Sequence, residues 1–209
     1  MKDMKMDENK LIEEALNNRE AAEKLISLHY REVYRYIYRR TLDKSLTEDL
    51  TQETFLYALE HLASFRRKSP FIIWVLKIAT SFINDYFRKV RKERKGLNSK
   101  ENSSINDPEE EVDVDAKYKI IHKHLQHLPL SYQTIIILKF FENKKTKEIC
   151  AIMGKTPIGV RVTLHRALKA LKREIERGVT DSDFLRLYNG EEKEWPTFSP
   201  EKQGKGEIR

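Results

Sequence analysis

The sequence predicts an all-α fold: two small helical domains joined by a flexible acidic linker, the second ending in a helix-turn-helix. Three observations carry that expectation. Glycine and proline are scarce, 7 and 6 among 209 residues, so long stretches are free of helix breakers. Apolar residues recur at spacings of three and four through two blocks. Between the blocks, Gly96 to Asp115 is polar and acidic and holds too little apolar surface to fold by itself.

The elements follow in order. Within residues 1–95, Asn18 is placed to cap a helix that carries Ala22, Leu25, Ile26, Tyr30, Val33, Ile37 and Tyr38 on one broad face. Ser45-Leu-Thr-Glu48 has the capping-box pattern and opens a helix with Leu46, Leu50, Phe55, Leu59 and Leu62. Ser69-Pro70 reads as N-cap and first-turn proline of a third helix, with Phe71, Trp74, Val75, Ile78, Phe82 and Tyr86 in register. Residues 96–115 are the linker. Residues 116–178 hold a helix over Ala116–His127, stopped by Pro129, a second capped by Ser131, a short third capped by Thr146 and ending at Gly154, and a fourth behind Thr156-Pro157 that runs to about Gly178. Residues 179–209 form a polar tail.

Charge is distributed unevenly along this frame. The chain carries +7 overall, made of +5 in residues 1–95, −6 in the linker, +10 in residues 116–178 and −2 in the tail. Two basic blocks around an acidic strip suit a polyanion held at two places. The single cysteine, Cys150, allows no intramolecular disulfide and fits a reducing compartment. Met1 to Lys10 lacks the apolar stretch of a signal peptide, and no apolar run approaches the ~20 residues that span a bilayer. The expectation is a cytoplasmic chain without membrane insertion. No glycine-rich phosphate loop and no cysteine pair is present. His122, His124 and His127 do not converge on one side of a helix, since the first two lie about 200° apart. No enzymatic activity, cofactor or metal is expected, and Cys150 reads as a core residue.

The sharpest local pattern runs from Thr146 to Ala167: a short helix, a turn at Gly154, and a second helix opened by Thr156-Pro157. Ile149, Ile152 and Met153 are spaced to face Val160, Leu164 and Leu168. That is a helix-turn-helix, whose second helix enters the major groove by its N-terminal end. Small or polar groups are needed where backbone approaches DNA, and cations beyond them hold phosphates. Lys155, Thr156, Pro157, Arg161, His165, Arg166 and Lys169 are the candidate contacts, with an ordinary helical hairpin as the plain alternative. A second pattern is the basic loop Ser64-Phe65-Arg66-Arg67-Lys68 leading into the Trp74 helix, whose polar side carries Lys77, Asn84, Asp85 and Arg88. Cations beside aromatic rings suit unstacked single-stranded bases, although Phe65 and Trp74 in such a pattern are more often core residues.

Together these residues resemble the extracytoplasmic-function (ECF) sigma factors of bacterial RNA polymerase. Glu48-Asp-Leu-Thr-Gln-Glu-Thr-Phe-Leu-Tyr-Ala-Leu59 looks like the family's polymerase-binding helix. Phe65 to Arg88, with Pro70-Phe71, Trp74, Ile78-Ala79 and Asp85, looks like its promoter-melting and −10-reading part. Leu125-x-x-Leu-Pro-x-x-Tyr132, Phe140-Phe141-Glu142, Glu148-Ile149, Gly154 and Val160 to Ala167 look like its −35-reading part. The resemblance covers about residues 10–177, in order and spacing. The family usually carries Arg-Asn where Thr80-Ser81 stand, and small polar and basic residues where Val162-Thr163 stand.

The resemblance implies that Asp49, Gln52, Glu53, Phe55 and Leu56 bind core polymerase. It implies that Ser64 to Lys68, Lys77, Asn84 and Arg88 meet −10 DNA, and that Lys155 to Pro157, Arg161, His165, Arg166 and Lys169 meet the −35 duplex. The implied partners are core RNA polymerase, double-stranded and melted promoter DNA, and an anti-sigma factor. The implied role is to direct polymerase to promoters and assist their opening, with the linker running near the active site. A stand-alone helix-turn-helix regulator is the alternative, but it leaves the Asp49–Glu53 helix and the acidic linker unused. A DNA-processing enzyme would need a nucleophile or an acidic metal cluster in residues 1–95, and none is found.

Overall fold

In a computed structural model of the chain, residues 2–96 and 116–177 are described, and they contain eight α-helices and no strand. The linker from residue 97 and the tail from residue 178 lie outside the described residues. In the N-terminal block, α2 (Arg19–Thr41), α3 (Lys44–Glu60) and α4 (Phe71–Gly96) pack around Leu25, Val33, Tyr36, Ile37, Leu50, Phe55, Leu76 and Ile83. A further helix, α1 (Lys2–Glu14), lies against α2. Its Ile12 is buried, and Glu8 meets the Nε2 of His29 at 3.1 Å.

The caps follow the chemistry of the chain, in part displaced from expectation. Asn18 Oδ1 accepts from the amides of Glu20 at 2.8 Å and Ala21 at 3.3 Å, as the sequence predicts. The cap of α3 is not Ser45 but Asp43, whose Oδ1 accepts from Leu46 N at 2.9 Å. Aspartate takes the cap because α2 ends at Leu42 in the left-handed region (φ 49°), so the chain turns there and α3 starts two residues early. Pro70, not Ser69, precedes α4: its carbonyl accepts from Ile73 N at 3.1 Å.

The C-terminal block is α5 (Ala116–Leu125), α6 (Leu130–Ile136), a π-helical segment over Ile137–Phe141, α7 (Thr146–Met153) and α8 (Pro157–Arg177). Helix α5 ends two residues before the expected His127. Pro129 sits at the cap of α6, and Ser131 lies inside that helix. Thr146 is the first residue of α7 rather than its cap. The capping contact comes from inside, as Glu148 accepts from Lys145 N at 2.7 Å. Gly154 ends α7 at φ 63°, where a side chain would be strained. Thr156 Oγ1 then accepts from Gly159 N at 3.1 Å and starts α8.

The two blocks touch. Helix α7 lies across α4, and the π-helical end of the C-terminal block reaches α2. Phe141 and Tyr118 of that block pack edge to face at 4.6 Å between centroids, and the guanidinium of Arg39 sits over both rings.

Candidate nucleic-acid interface

Helix α3 presents one polar face with an apolar tip. Thr47, Thr51 and Thr54 are buried, and each hydroxyl bonds back to a carbonyl one turn earlier, which lets a hydroxyl-bearing face pack inward without orphaned donors. The opposite face leaves Asp49, Gln52, Glu53 and Leu56 exposed, and with Tyr57, Glu60 and Phe82 they line a shallow cleft of about 480 Å3. Leu56 is 62% exposed, unusual for a leucine between two glutamates and a tyrosine. Phe55 departs from this set. It is buried and stacks on Tyr30 at 6.2 Å, so it shapes α3 from beneath and is unavailable to a partner.

Helix α4 divides its candidate residues in two. Ser64, Arg66, Arg67 and Lys68 are exposed in the loop before it, and Arg67 pairs with Glu13 of α1 at 2.8 Å. Phe65 is half-buried, tilted against Trp74 at 5.1 Å and edge-on to Phe71 at 5.6 Å, so the loop aromatics are mainly core. Further along, Lys77, Thr80, Ser81, Asn84 and Arg88 line one cleft of about 440 Å3. Its other wall is the C-terminal block: Leu130, Ser131 and Thr134 of α6, then Ile152, Met153, Gly154 and Lys155. Thr80 is buried, with its hydroxyl 2.8 Å from that of Tyr36, and Arg88 is paired with Asp85. Of the five, Thr80 is buried and Asn84 half-buried, while Lys77, Ser81 and Arg88 stay exposed beside the cleft.

Helix α8 contrasts with α4. Val160, Ala167, Leu171 and Ile175 are buried against α5, α6 and α7. Lys155, Thr156, Pro157, Arg161, His165, Arg166 and Lys169 are all exposed, with the cations along one outward flank. Beside them, Ile158, not singled out in the sequence, is 69% exposed, and Val162, noted there as a departure from the family pattern, is 43% exposed one turn on. Apolar residues on a helix turned to solvent are a signal that burial alone makes visible, because spacing cannot tell which side of an amphipathic helix a borderline residue takes.

The seam between the blocks holds several buried or half-buried ion pairs and charged hydrogen bonds. Glu142, its side chain 1% exposed, accepts from Arg39 Nη1 and from Arg35 Nη2 at 3.2 Å. Arg39 Nη1 also donates to Phe141 O at 2.9 Å, and Lys144 pairs with Glu32. Arg40 is buried and donates to Thr134 Oγ1 at 2.6 Å, and burial lowers its pKa. The Tyr118 hydroxyl donates to Arg39 O, and burial raises its pKa. Burial pushes His122 down to about 4; Arg40 opposes this by a backbone hydrogen bond and reinforces it by its charge. His122 is thus neutral, with Nδ1 3.0 Å from Gln126 Nε2. Among the described residues no three His, Cys, Asp or Glu side chains converge as metal ligands, and Cys150 is half-buried against the core. No helix among them is long and apolar enough to cross a membrane.

Comparison with known proteins follows the same division. Residues 25–93 match the family model for Sigma-70 region 2, and residues 118–171 match Sigma-70, region 4. The chain is 32% identical over 166 residues to the RNA polymerase sigma factor YlaC of Bacillus subtilis, covering 78% of this chain and 96% of that protein. It is 28% identical over 163 residues to the ECF RNA polymerase sigma factor SigM of the same organism, covering 76% and 98%. Among solved structures it resembles CnrH, determined in complex with the cytosolic domain of CnrY (TM-score 0.60, 19% identity, 80% of this chain and 96% of that one). It also resembles RpoE bound to the anti-sigma factor NepR from Bartonella quintana (TM-score 0.57, 19% identity, 74% and 96%). Those two likenesses bear on the fold.

Proposed function

This chain belongs to the ECF group of RNA polymerase sigma factors, and we propose how its surfaces divide the work of directing core polymerase to promoters and helping to open them. It performs no chemistry of its own; polymerase does.

Residues 1–95 form the unit that docks on polymerase and handles the −10 element. Asp49, Gln52, Glu53 and Leu56 meet core polymerase, with Tyr57 and Phe82 completing the floor of their cleft. An exposed leucine ringed by acids and an amide suits a partner groove that is apolar at its centre and basic at its rim. Lys77, Ser81, Asn84 and Arg88 handle −10 DNA, with Ser64, Arg66, Arg67 and Lys68 at the fork where the strands part.

Residues 116–178 read the −35 duplex through α8. Arg161, in the second turn, is the base-reading arginine. Arg166 and Lys169 hold phosphates, and Ile158 and Val162 offer apolar surface to thymine methyl groups. The linker over residues 96–115 carries −6 and is repelled by DNA, so it runs along a basic channel of polymerase. An anti-sigma factor is the inhibitory partner.

The observation that carries this reading is α8. Every candidate contact on it is exposed while its opposite side is buried, and the exposed side is cationic. Run-off transcription with core polymerase on genomic fragments tests it. Discrete transcripts that require this chain are expected. DNA binding without any polymerase-dependent transcript would replace the reading with a stand-alone regulator.

A further inference from the structure

We propose that the open cleft between α4 and the α6–α7 wall is a binding site for a free phosphate-chain anion, with the buried Arg40 guanidinium behind its lining. The ligand is inorganic triphosphate or the triphosphate of a nucleotide, a small molecule that meets both blocks. The site goes beyond the reading of α4 as the −10 helix and does not depend on it.

Three observations carry it. First, the lining has one sign of charge. Lys77 and Arg88 come from α4 and Lys155 from the turn after α7, with the hydroxyls of Ser81 and Ser131 among them and no carboxylate in the lining. Asp85 holds Arg88 from outside the cleft. Lys77 and Lys155 are exposed, and among the described residues no ion pair holds either. The cleft on α3 has the opposite character, since Asp49, Glu53 and Glu60 line it and no cation does. A concave surface of one sign concentrates its potential on whatever enters. Second, a buried arginine stands behind the lining. Arg40 is 2% exposed. Its Nη1 donates to Thr134 Oγ1 at 2.6 Å and its Nη2 to Asn84 Oδ1 at 3.5 Å, and both of those residues line the cleft. Its further acceptor, Leu130 O at 3.4 Å, is also neutral, and its Nε has no acceptor. Arg35 and Arg39 of the same helix share the Glu142 carboxylate, but Arg40 has no such partner among the described residues. Burial lowers its pKa, Tyr36 and Tyr118 oppose that, and the charge of Arg91 reinforces it. A buried charge is costly without a counter-charge, and an anion seated against Asn84 and Thr134 supplies one. Third, spacing and size select the anion. Lys77, Ser81, Asn84 and Arg88 recur at intervals of four, three and four, which makes one stripe of α4 about 16 Å long. A lone tetrahedral anion meets one part of that stripe, whereas linked phosphates run along it. The cleft, about 440 Å3, has the volume of a small-ligand site, and Leu130 and Met153 give it an apolar wall for the ring of a nucleotide.

Isothermal titration of the full chain, with neither DNA nor polymerase present, tests the site. The probes are sodium triphosphate, adenosine triphosphate, sodium orthophosphate and a single-stranded oligonucleotide, each at low ionic strength. One triphosphate should bind per chain, more tightly than orthophosphate, and should raise the melting temperature. Tighter binding of adenosine triphosphate than of sodium triphosphate identifies a nucleotide as the ligand, and equal affinity identifies the bare phosphate chain; either result supports the site. Ser131→Glu sets a carboxylate into the cleft and should weaken triphosphate binding by roughly tenfold or more. Lys44→Gln lowers the net charge equally at an exposed position outside the cleft and should change affinity by less than about twofold. Arg40→Met should lose binding and Arg40→Lys should keep most of it, because Arg40 contributes charge. Circular dichroism shows whether the Arg40 variants fold; if they do not, the exposed Ser131 decides by itself. Equal losses in Ser131→Glu and Lys44→Gln, equal affinity for orthophosphate and triphosphate, or binding of the oligonucleotide with no binding of either triphosphate overturns the site. None of these outcomes bears on the sigma reading, which run-off transcription decides separately.

Discussion

The two helices that carry the candidate DNA contacts, α4 and α8, have similar composition and different surroundings. Both are long, amphipathic and basic on the polar side. The polar side of α8 is open to solvent throughout, whereas that of α4, with Lys77, Ser81 and Arg88 exposed and Thr80 buried, forms one wall of an open cleft whose other wall is α6 and α7. The difference does not come from either helix. It comes from the seam beside them, where Arg35, Arg39 and Arg40 of α2 meet Glu142, Phe141 and Thr134. The surroundings of a helix face are therefore a property of the pairing between blocks, in which a few charged residues take part.

The comparison can be broken at the seam. Removing one partner from a buried pair leaves an uncompensated charge, so Glu142→Ala should weaken docking of the blocks by about 3–5 kcal/mol. Calorimetry should then resolve two unfolding transitions where the parent shows one. Core packing within each block involves none of these atoms, so both blocks stay folded.

Acid should loosen the same seam. His122 has a folded pKa near 4, below its unfolded value near 6.5, so folding favours the neutral ring. Its contribution is present above the unfolded value and is lost as pH falls from there toward the folded value. At about pH 5 the loss is roughly 2 kcal/mol. His29, lowered by its own burial against α1, shifts stability in the same direction. The difference in denaturant midpoints between the parent and His122→Gln, followed from neutral pH to about pH 5, isolates the share of His122.

On the open helix the effects are smaller and fall on binding. Arg161→Ala should cost about 1–3 kcal/mol on the preferred −35 sequence and little on others. Arg166→Ala or Lys169→Ala should weaken all sequences alike and lower the salt slope by about one per contact. Competition titrations with holoenzyme separate these cases. On the other exposed surface, Asp49→Ala with Gln52→Ala should reduce capture of core polymerase in a pull-down and leave the melting temperature unchanged, since both side chains are exposed. The smallest effect belongs to Val162. Replacing −35 thymines by deoxyuridine removes one methyl each, worth about 0.8 kcal/mol when buried. Val162→Ser should make the protein indifferent to that change, measured by the same titration.

Much of this was legible in the sequence. Asn18, Thr156 and Gly154 mark real helix boundaries because caps are local: one side chain and two or three amides decide them. The helix-turn-helix was legible because its packing is a spacing of three and four within about 30 residues. Asp43 was missed as a cap because Ser45-Leu-Thr-Glu48 offers an equally good local pattern, and only the left-handed turn at Leu42 decides between them. Phe55 fits the apolar register of α3 yet was put among the polymerase-binding residues through the family resemblance; it is buried and stacks on Tyr30. The seam was not legible. Glu142 follows the apolar run Ile135 to Phe141 directly, which hints at a buried carboxylate, but its partners lie more than 100 residues earlier and no periodicity links them.

The central claim is that the exposed cationic side of α8 reads promoter duplex for core polymerase. It is tested most directly by run-off transcription with core polymerase on a genomic fragment, comparing the parent chain with Arg161→Ala. The account predicts a transcript that requires the parent chain and is lost in the variant. An equal transcript from both would contradict it.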